Sequence, residues 1–366
     1  MNKAWSQSLQ CRHLCWLMID MSKRPVGPLS EVVAQHVATF LKPVFFFATE
    51  CGDHIHFVNA DDGAVAFSRR LGNECITTLA LSSCRQHLAG ICGDGWLWIL
   101  DVKTGATSHS EFFEKLANEK AESLAYAPHG HAFAVGCDDG NLMIIDTISW
   151  EAIFNIQLGN TAVSHIAYAP SGQHIAAACG CIVCIIHTET WVIAHIRVGA
   201  DLEEVMSLTY RPGGQDLAIV NLRMSLEVLN MRTFVARSVE SRVDINIDTS
   251  YACAYRPDGQ QLALVSQDVT GRLSVFDAES LDIVYSTGIG FGICDVISVA
   301  YTACGQQLAV GADDSNLRVI DAESGAVIHV VRLDTSLTNV VQSIDCSLGN
   351  SLTNVVWAIH CVQSIL

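Results

Sequence analysis

Residues 121–148, AESLAYAPHGHAFAVGCDDGNLMIIDTI, decide the fold, because they contain three short apolar runs separated by two turn signals. Proline presets the φ angle of a tight turn and glycine accepts positive φ. Ala-Pro-His-Gly (127–130) and Asp-Asp-Gly-Asn (138–141) therefore predict hairpin turns. Runs this short, bounded by such residues, predict β-strands rather than helices. The three runs are Ser123–Tyr126, Ala132–Gly136 and Leu142–Asp146.

The same unit recurs along the chain. A tyrosine ends the first strand of five units, and in four of them a proline follows two residues later. A polar residue ends the third strand of seven units. Both markers recur about every 41 to 47 residues, a period that with four strands per unit is typical of β-propeller blades. The markers are Tyr126, Tyr168, Tyr210, Tyr255 and Tyr301, and Asn59, Asp101, Asp146, His187, Asn230, Asp277 and Asp321.

One segment carries a family resemblance. Tyr-Arg-Pro-Asp-Gly-Gln-Gln-Leu-Ala (255–263) resembles the Phe/Tyr-Ser-Pro-Asp-Gly-Lys-x-Leu-Ala segment of the WD-repeat family, and residues 136–146 and 311–321 extend the likeness. The family's Trp-Asp pair lacks its tryptophan here, and its Gly-His pair is missing. The resemblance therefore does not carry over the family's buried hydrogen-bond network, and we expect apolar packing to hold the blades. The residues in place of tryptophan are Leu100, Ile145, Phe276 and Ile320.

We therefore predict an all-β fold: a single β-propeller domain over residues 1–366, built of four-stranded antiparallel blades. The resemblance implies that an N-terminal strand pairs with C-terminal strands to close the ring, and Leu14–Ile19 is the candidate closing strand. Counting the units gives eight blades, with seven blades and peripheral termini as the alternative. The predicted units end near residues 59, 101, 146, 187, 230, 277, 321 and 365.

Ser110–Glu122 has the longest helical pattern, since Phe113, Leu116 and Ala117 can share one helix face. The segment lies between an outer strand and the next inner strand. In the WD-repeat family such connections lie on one rim of the ring. The simpler interpretation is a helical loop that packs on its own blade, and the alternative is a docking element for a partner.

The repeat units contain residue types that can bind metal ions, but not in the patterns of known metal sites. Cys179, Cys181, Cys184 and His187 are zinc-ligand types, but the repeat alignment places the cysteines in small core positions, so we predict structural cysteines. The acidic turns supply one or two carboxylates per blade, which predicts turn formation rather than calcium binding. The sequence contains neither a Gly-x-Ser-x-Gly elbow nor a phosphate-binding loop. We predict no enzyme activity, metal or cofactor.

The net charge, the apolar runs and the cysteine content indicate which classes of partner and compartment suit the chain. The net charge of −17 argues against nucleic acid, whose recognition needs basic patches, and suits a basic protein partner or simply solubility. No apolar run approaches the roughly 18 residues of a membrane span. Fifteen cysteines without the spacing of a small disulfide-rich domain favour a reducing compartment, so we expect a cytoplasmic protein.

The predicted function is that of a scaffold for other proteins, as a subunit of a larger complex, which follows from the family resemblance. The alternative is a propeller enzyme or small-ligand binder that uses the central channel. The innermost strands are small and apolar, which favours the scaffold. The predicted partner-binding residues lie in the rim loops: Phe112, Phe113, Asp138, Asp139, Glu203, Glu204, Asp244, Phe291, Asp295, Asp313 and Asp314.

Overall fold

The structure is a computed structural model. It places residues 45–348 in one compact unit, while a second unit, 1–44 and 349–366, consists almost wholly of residues that are not described. Backbone alone is described for 44–51, 194–197, 239, 251, 296–297 and 341–349. The described residues are 44–51, 54–71, 76–82, 84, 86–102, 104–113, 120–129, 131–197, 204–222, 226–239, 251–266, 271–290, 296–312, 314, 316–333 and 341–349.

Seven four-stranded sheets make up the described chain, which contains no α-helix. Listed from the inner strand outward, sheet A contains β28 (Val341–Gly349), β1 (Val44–Cys51), β2 (His54–Asn59) and β3 (Val65–Arg70), and sheet B contains β4 (Ile76–Leu81), β5 (His87–Cys92), β6 (Trp96–Asp101) and β7 (Thr107–Phe112). In the same order, sheet C contains β8 (Ala121–Tyr126), β9 (Ala132–Cys137), β10 (Asn141–Asp146) and β11 (Ala152–Gln157), and sheet D contains β12 (Val163–Tyr168), β13 (His174–Cys179), β14 (Ile182–His187) and β15 (Ile193–Arg197). Sheet E contains β16 (Val205–Tyr210), β17 (Asp216–Asn221), β18 (Leu226–Asn230) and β19 (Ala236–Val239); sheet F contains β20 (Tyr251–Tyr255), β21 (Gln261–Ser266), β22 (Arg272–Asp277) and β23 (Ile283–Gly288); and sheet G contains β24 (Val296–Tyr301), β25 (Gln307–Ala312), β26 (Asn316–Asp321) and β27 (Val327–Arg332).

The sheets pack face to face around a ring. The inner strands of sheets B to G lie side by side in chain order. Ile55 and Phe57 of sheet A pack with Leu79 and Leu88 of sheet B. Val58 and Ala60 of sheet A share a core with Ala309, Leu317 and Val319 of sheet G. Each sheet has two apolar faces, and a closed ring buries both against neighbours.

The eight predicted blades are not confirmed, because the described residues form seven sheets. Residues 341–349 and residues 44–51 do pair in one sheet. However, sheet A takes its inner strand, β28, from the C-terminal part of the chain and its other three strands from the N-terminal part. The predicted closing strand Leu14–Ile19 and the unit end near residue 365 lie outside the described residues.

Both sequence markers fall where the repeat predicts. All five tyrosines end inner strands, and all seven polar residues end the third strand of their sheet. Asp146 shows why a polar residue stands there: its Oδ1 accepts hydrogen bonds from the backbone N–H of Ile148 and Ser149, which fixes the following turn. The equivalent turns reach a positive φ four residues after the marker, as at Trp150 and Gly105.

Neighbouring sheets also meet at their outer strands. The ring of His109 in sheet B stacks on Trp150 of sheet C with centroids 3.6 Å apart, and Phe154 stacks on Trp191 of sheet D at 4.0 Å. In sheet G, His329 Nε2 lies 3.0 Å from the carbonyl oxygen of Asp61 in sheet A. The outer strand of one sheet thus contacts the turn after the third strand of the next, including across the seam that closes the ring.

The helix predicted for Ser110–Glu122 is wrong at both ends. Residues 110–112 belong to β7, where Phe112 pairs with Trp96, and residues 121 and 122 begin β8. Residues 114–119 lie outside the described chain. Pairing with the neighbouring strands β6 and β9 overrides the local helical pattern, since tertiary context commonly decides strand formation.

Candidate functional site

One end of the sheets carries most of the predicted partner-binding residues. We call it the upper rim: the turns between second and third strands together with the connections from each sheet to the next. Hydrogen bonds join these two sets of loops. The backbone N–H of Asp138 donates to Lys120 O at 2.9 Å, and that of Leu222 donates to Glu204 O at 3.0 Å. The opposite end, with the remaining turns, is the lower rim.

Aromatic side chains are exposed at the upper rim of sheet B. Phe112 ends β7 with 46% of its surface exposed, and Trp96 begins β6 with 36% exposed. Their ring centroids lie 5.7 Å apart, and Trp96 lies 5.8 Å from Trp98 on the same face of the strand. We call these three residues the Trp96–Phe112 patch. Exposed aromatic rings with a rigid strand beneath them are typical anchors of protein interfaces.

Phe113 has a different environment from Phe112. Its side chain is half-buried against the core shared by sheets B and C, and its backbone N–H donates to Gly95 O at 3.1 Å. Phe113 therefore packs sheet against sheet, and a partner would reach only part of it.

Some acidic residues of the upper rim are exposed, and others form hydrogen bonds or ion pairs within the fold. Asp138 and Glu204 are exposed. Burial, and next the negative charge of Asp138, raise the pKa of Glu122 on the adjoining inner strand. Asp139 accepts a hydrogen bond from the backbone N–H of Asn141 at 2.9 Å, so it shapes its turn.

The carboxylate of Asp314 forms an ion pair with Arg318. Arg318 Nη2 lies 2.6 Å from its Oδ2, and Arg318 also donates to Gly290 O at 3.3 Å. Burial of Asp314 opposes ionisation, but the hydrogen bonds from Arg318 and Asn316 prevail and hold its pKa below the usual value. The remaining predicted residues lie outside the described chain: Glu203, Asp244, Phe291, Asp295 and Asp313.

The cysteine group considered for zinc lies inside sheet D. Cys179 and Cys184 are buried, and Cys179 Sγ donates to Thr161 O at 3.0 Å. Among the residues whose placement is described, no group of three or more histidine, cysteine or acidic side chains is arranged to hold a metal ion.

A family model described as the WD40 domain of anaphase-promoting complex subunit 4 matches residues 111–171 and 284–359. These stretches include sheets C and G and the closing strand β28, and they fold as antiparallel four-stranded blades. Fold and family match together support a WD-repeat β-propeller. No curated protein matches its sequence.

A second family model, for ribosomal protein L13, matches residues 14–77. The described part of that stretch supplies β1, β2, β3 and the start of β4 of the propeller. None of the described residues forms a helix that could cross a lipid bilayer.

Trp96 was not among the predicted site residues of the propeller. The signal was present in Gly-Trp-Leu-Trp (95–98), where strand alternation places both tryptophans on one face. The significance of Trp96 depends on its cross-strand partner Phe112, which sequence reasoning assigned to a helix.

The inner strands of the propeller line its axis. The described side chains of these strands include one carboxylate, that of Glu122, and one imidazole, that of His165. Ser123 Oγ donates to Val163 O at 2.6 Å, and Ser207 Oγ accepts from the backbone N–H of Cys253 at 3.2 Å, so small hydroxyls tie consecutive inner strands together. The alternative of a ligand bound in the channel stays a prediction.

We expect His165 to lower the stability of the propeller in acid. His165 Nδ1 lies 3.1 Å from Ser164 Oγ, and burial lowers its pKa to about 4 from the ordinary 6.5. Between these values the unfolded chain binds a proton that the folded chain does not, so stability falls as the pH drops from about 6.5 towards 4. One such group contributes a slope of at most about 1.4 kcal/mol per pH unit.

We expect His165→Ser to reduce this loss, since serine occupies the equivalent positions 123 and 207. The measurement is the free energy of unfolding in urea at pH 7.0 and near pH 4.5. The wild type should lose more stability than the variant over this range. His129→Ser, which changes an exposed turn histidine, should behave like the wild type. Equal losses in all three proteins would contradict the assignment.

Proposed function

We propose that this WD-repeat propeller is a non-enzymatic scaffold that binds partner proteins through its upper rim. Propellers of this family typically act as such scaffolds. The single observation that carries the choice of surface is the Trp96–Phe112 patch, because it exposes large aromatic side chains at the rim where predicted contact residues also lie.

The rim charges favour a basic partner surface. Asp138 and Glu204 are exposed at the upper rim, and the whole chain carries a net charge of −17. Opposite charge on a partner would speed association and orient docking. We further propose that the scaffold works as a subunit of a larger assembly. The matched family model is named after a subunit of such an assembly, and that name describes its own protein.

We place the scaffold in the reducing environment of the cytoplasm. Cys84 and Cys304 are exposed and form no disulfide bond. Thiols stay reduced in the cytosol, whereas disulfides form and persist in oxidising compartments.

The test is affinity purification of the tagged chain with identification of co-purifying proteins by mass spectrometry. A double variant, Trp96→Ala with Phe112→Ala, should lose at least one partner that the wild type retains. The matched control is Phe234→Ala, because Phe234 is a similarly exposed aromatic residue, at 51%, in a turn of the lower rim. The same partner set for all three proteins would reject the upper rim as the binding surface, as would losses confined to Phe234→Ala.

A further inference from the structure

The turn that follows β14 in sheet D is built around a histidine. His187 Nδ1 accepts hydrogen bonds from the backbone N–H groups of Glu189 and Thr190, both at 3.3 Å. At the same position of the other sheets, a carboxylate or amide oxygen accepts such bonds at 2.7 to 3.1 Å. These residues are Asn59, Asp101, Asp146, Asn230, Asp277 and Asp321. Sheet D thus has an imidazole nitrogen where the other sheets have an oxygen.

The hydrogen bonds decide which ring nitrogen of His187 carries the proton. Because Nδ1 accepts from two N–H groups, the proton of the neutral ring lies on Nε2. A second proton would turn Nδ1 into a donor that faces two other donors and would place a positive charge beside them. The equivalent turn of sheet C resists this change, since the backbone N–H groups of Ser149 and Ile148 hold the pKa of Asp146 below its ordinary value.

Two titratable side chains lie close to His187. His174, directly opposite on β13, meets it edge to face with ring centroids 5.2 Å apart. Burial, and next the positive charge of His187, lower the pKa of His174, so His174 tends to stay neutral as the pH falls. Glu189 is exposed, so its carboxylate compensates a charge on His187 only weakly. On the other side, the uncharged Val192 accepts the His187 backbone N–H at 3.0 Å.

The same turn positions an aromatic contact between two sheets. Trp191 has a positive φ of 55°, and its backbone N–H donates to His187 O at 2.8 Å. Its ring stacks on Phe154 of sheet C with centroids 4.0 Å apart and 11° between the ring planes. A positive φ is unfavourable for a bulky residue, so Trp191 keeps it only while the turn holds it. Opening the turn therefore loosens the contact between sheets C and D.

We propose that the turn 187–192 is a pH-sensitive contact, in which a proton bound at His187 Nδ1 breaks two hydrogen bonds and releases Trp191 from Phe154. An ordinary histidine binds this proton near pH 6.5, about where small changes of pH matter most. Because the closed turn opposes the proton, its stabilisation is present at neutral pH and is lost as the pH falls. The contact lies on the lower rim and is independent of the scaffold function proposed for the upper rim.

The test is fluorine NMR of the full chain labelled with fluorotryptophan, with the Trp191 signal assigned from Trp191→Phe. A soluble gadolinium chelate relaxes each signal according to the exposure of its ring. From about pH 7.5 to about pH 5.5, on either side of the ordinary histidine pKa, this relaxation should rise for Trp191 in the wild type. The signal of Trp98 in sheet B should stay constant.

His187→Asn is the decisive variant, because asparagine occupies the equivalent position 230 and supplies an acceptor that does not titrate. His187→Asp is a second variant with the same expectation, since aspartate occupies that position in four sheets. In both variants Trp191 should stay stacked at the lower pH. His174→Gln is the matched control, since glutamine begins the second strand of sheets F and G, and it should respond as the wild type does.

Four results would overturn the proposal. The first is a constant Trp191 signal in the wild type, and the second is an equal rise in the two His187 variants. The third is a rise that His174→Gln abolishes, which would assign the response to His174. The fourth is a rise shared by all the tryptophan signals, because the response would then be global and not confined to this turn.

Discussion

Replacing Asp216 by alanine is expected to lower the free energy of unfolding by about 3 kcal/mol, because the change removes one member of a buried ion pair. Asp216 begins β17 and its side chain is only 5% exposed. Its Oδ2 lies 3.1 Å from Arg211 Nη1 and 3.7 Å from Arg237 Nη2. Asn230 Nδ2 donates to its other oxygen at 3.3 Å.

This ion pair joins two blades. Arg211 also donates from Nε to Gly259 O of sheet F at 2.7 Å, and its Nη1 lies 3.0 Å from Glu279 Oε2. Glu279 is 80% exposed, so it compensates Arg211 only weakly when Asp216 is absent. Loss of the buried carboxylate therefore affects both the fold of sheet E and its contact with sheet F.

Urea denaturation of the wild type and Asp216→Ala measures this effect. The matched control is Asp258→Ala, which removes an acidic partner of Arg256 that is 42% exposed and lies 3.3 Å away. Such a surface pair contributes less than about 1 kcal/mol. If Asp216→Ala costs no more than Asp258→Ala, the buried network does not stabilise the seam between sheets E and F.

Replacing Gly140 by alanine is expected to cost at least about 3 kcal/mol, because two separate penalties coincide there. Gly140 lies in the turn between β9 and β10 with φ of 88°, a conformation that non-glycine residues rarely adopt. A Cβ at this position would lie 2.8 Å from the carbonyl carbon of Gly159 and 2.9 Å from Thr161 O. These are backbone atoms, which cannot turn aside as a flexible side chain would.

Substitutions at two other glycines distinguish the cost of backbone strain from the cost of steric overlap. Gly290 has φ of 75°, and a Cβ added there would meet no atom of the described residues within 4 Å, so Gly290→Ala should cost only about 1 kcal/mol of backbone strain. Gly213 lacks both features, and Gly213→Ala should change stability by no more than about 0.5 kcal/mol. The measurement is the free energy of unfolding of the three single variants. A cost for Gly140→Ala equal to that for Gly290→Ala would show that the connection 158–162 yields to the methyl group.

The strand ends were predictable from sequence because local chemistry sets them. Asp146 stands where a side-chain acceptor must satisfy the N–H groups of the next turn, and Pro128 stands where the φ angle of a turn must be fixed. Such requirements concern a few consecutive residues, and the repeat displays them several times. The period therefore indicated a propeller even without the family's Trp-Asp pair.

The features that sequence reasoning missed depend on strand pairing that a local pattern does not reveal. Ser110–Glu122 looks helical in isolation, but Phe112 is held in β7 by pairing with Trp96. The number of blades depends on β28 joining β1, a pairing of strands about 300 residues apart that the period alone cannot specify. Phe112 was among the predicted contact residues and Trp96 was not, because the closeness of these two exposed rings depends on the pairing of β6 with β7.

The composition of sheet A tests the central claim most directly. An experimental structure of the full chain, by crystallography or electron cryomicroscopy, should show seven blades, with residues 341–349 hydrogen-bonded beside residues 44–51 as the inner strand of that blade. An eighth blade built from residues beyond 340, with Leu14–Ile19 as its outer strand, would contradict the closure of the ring described above.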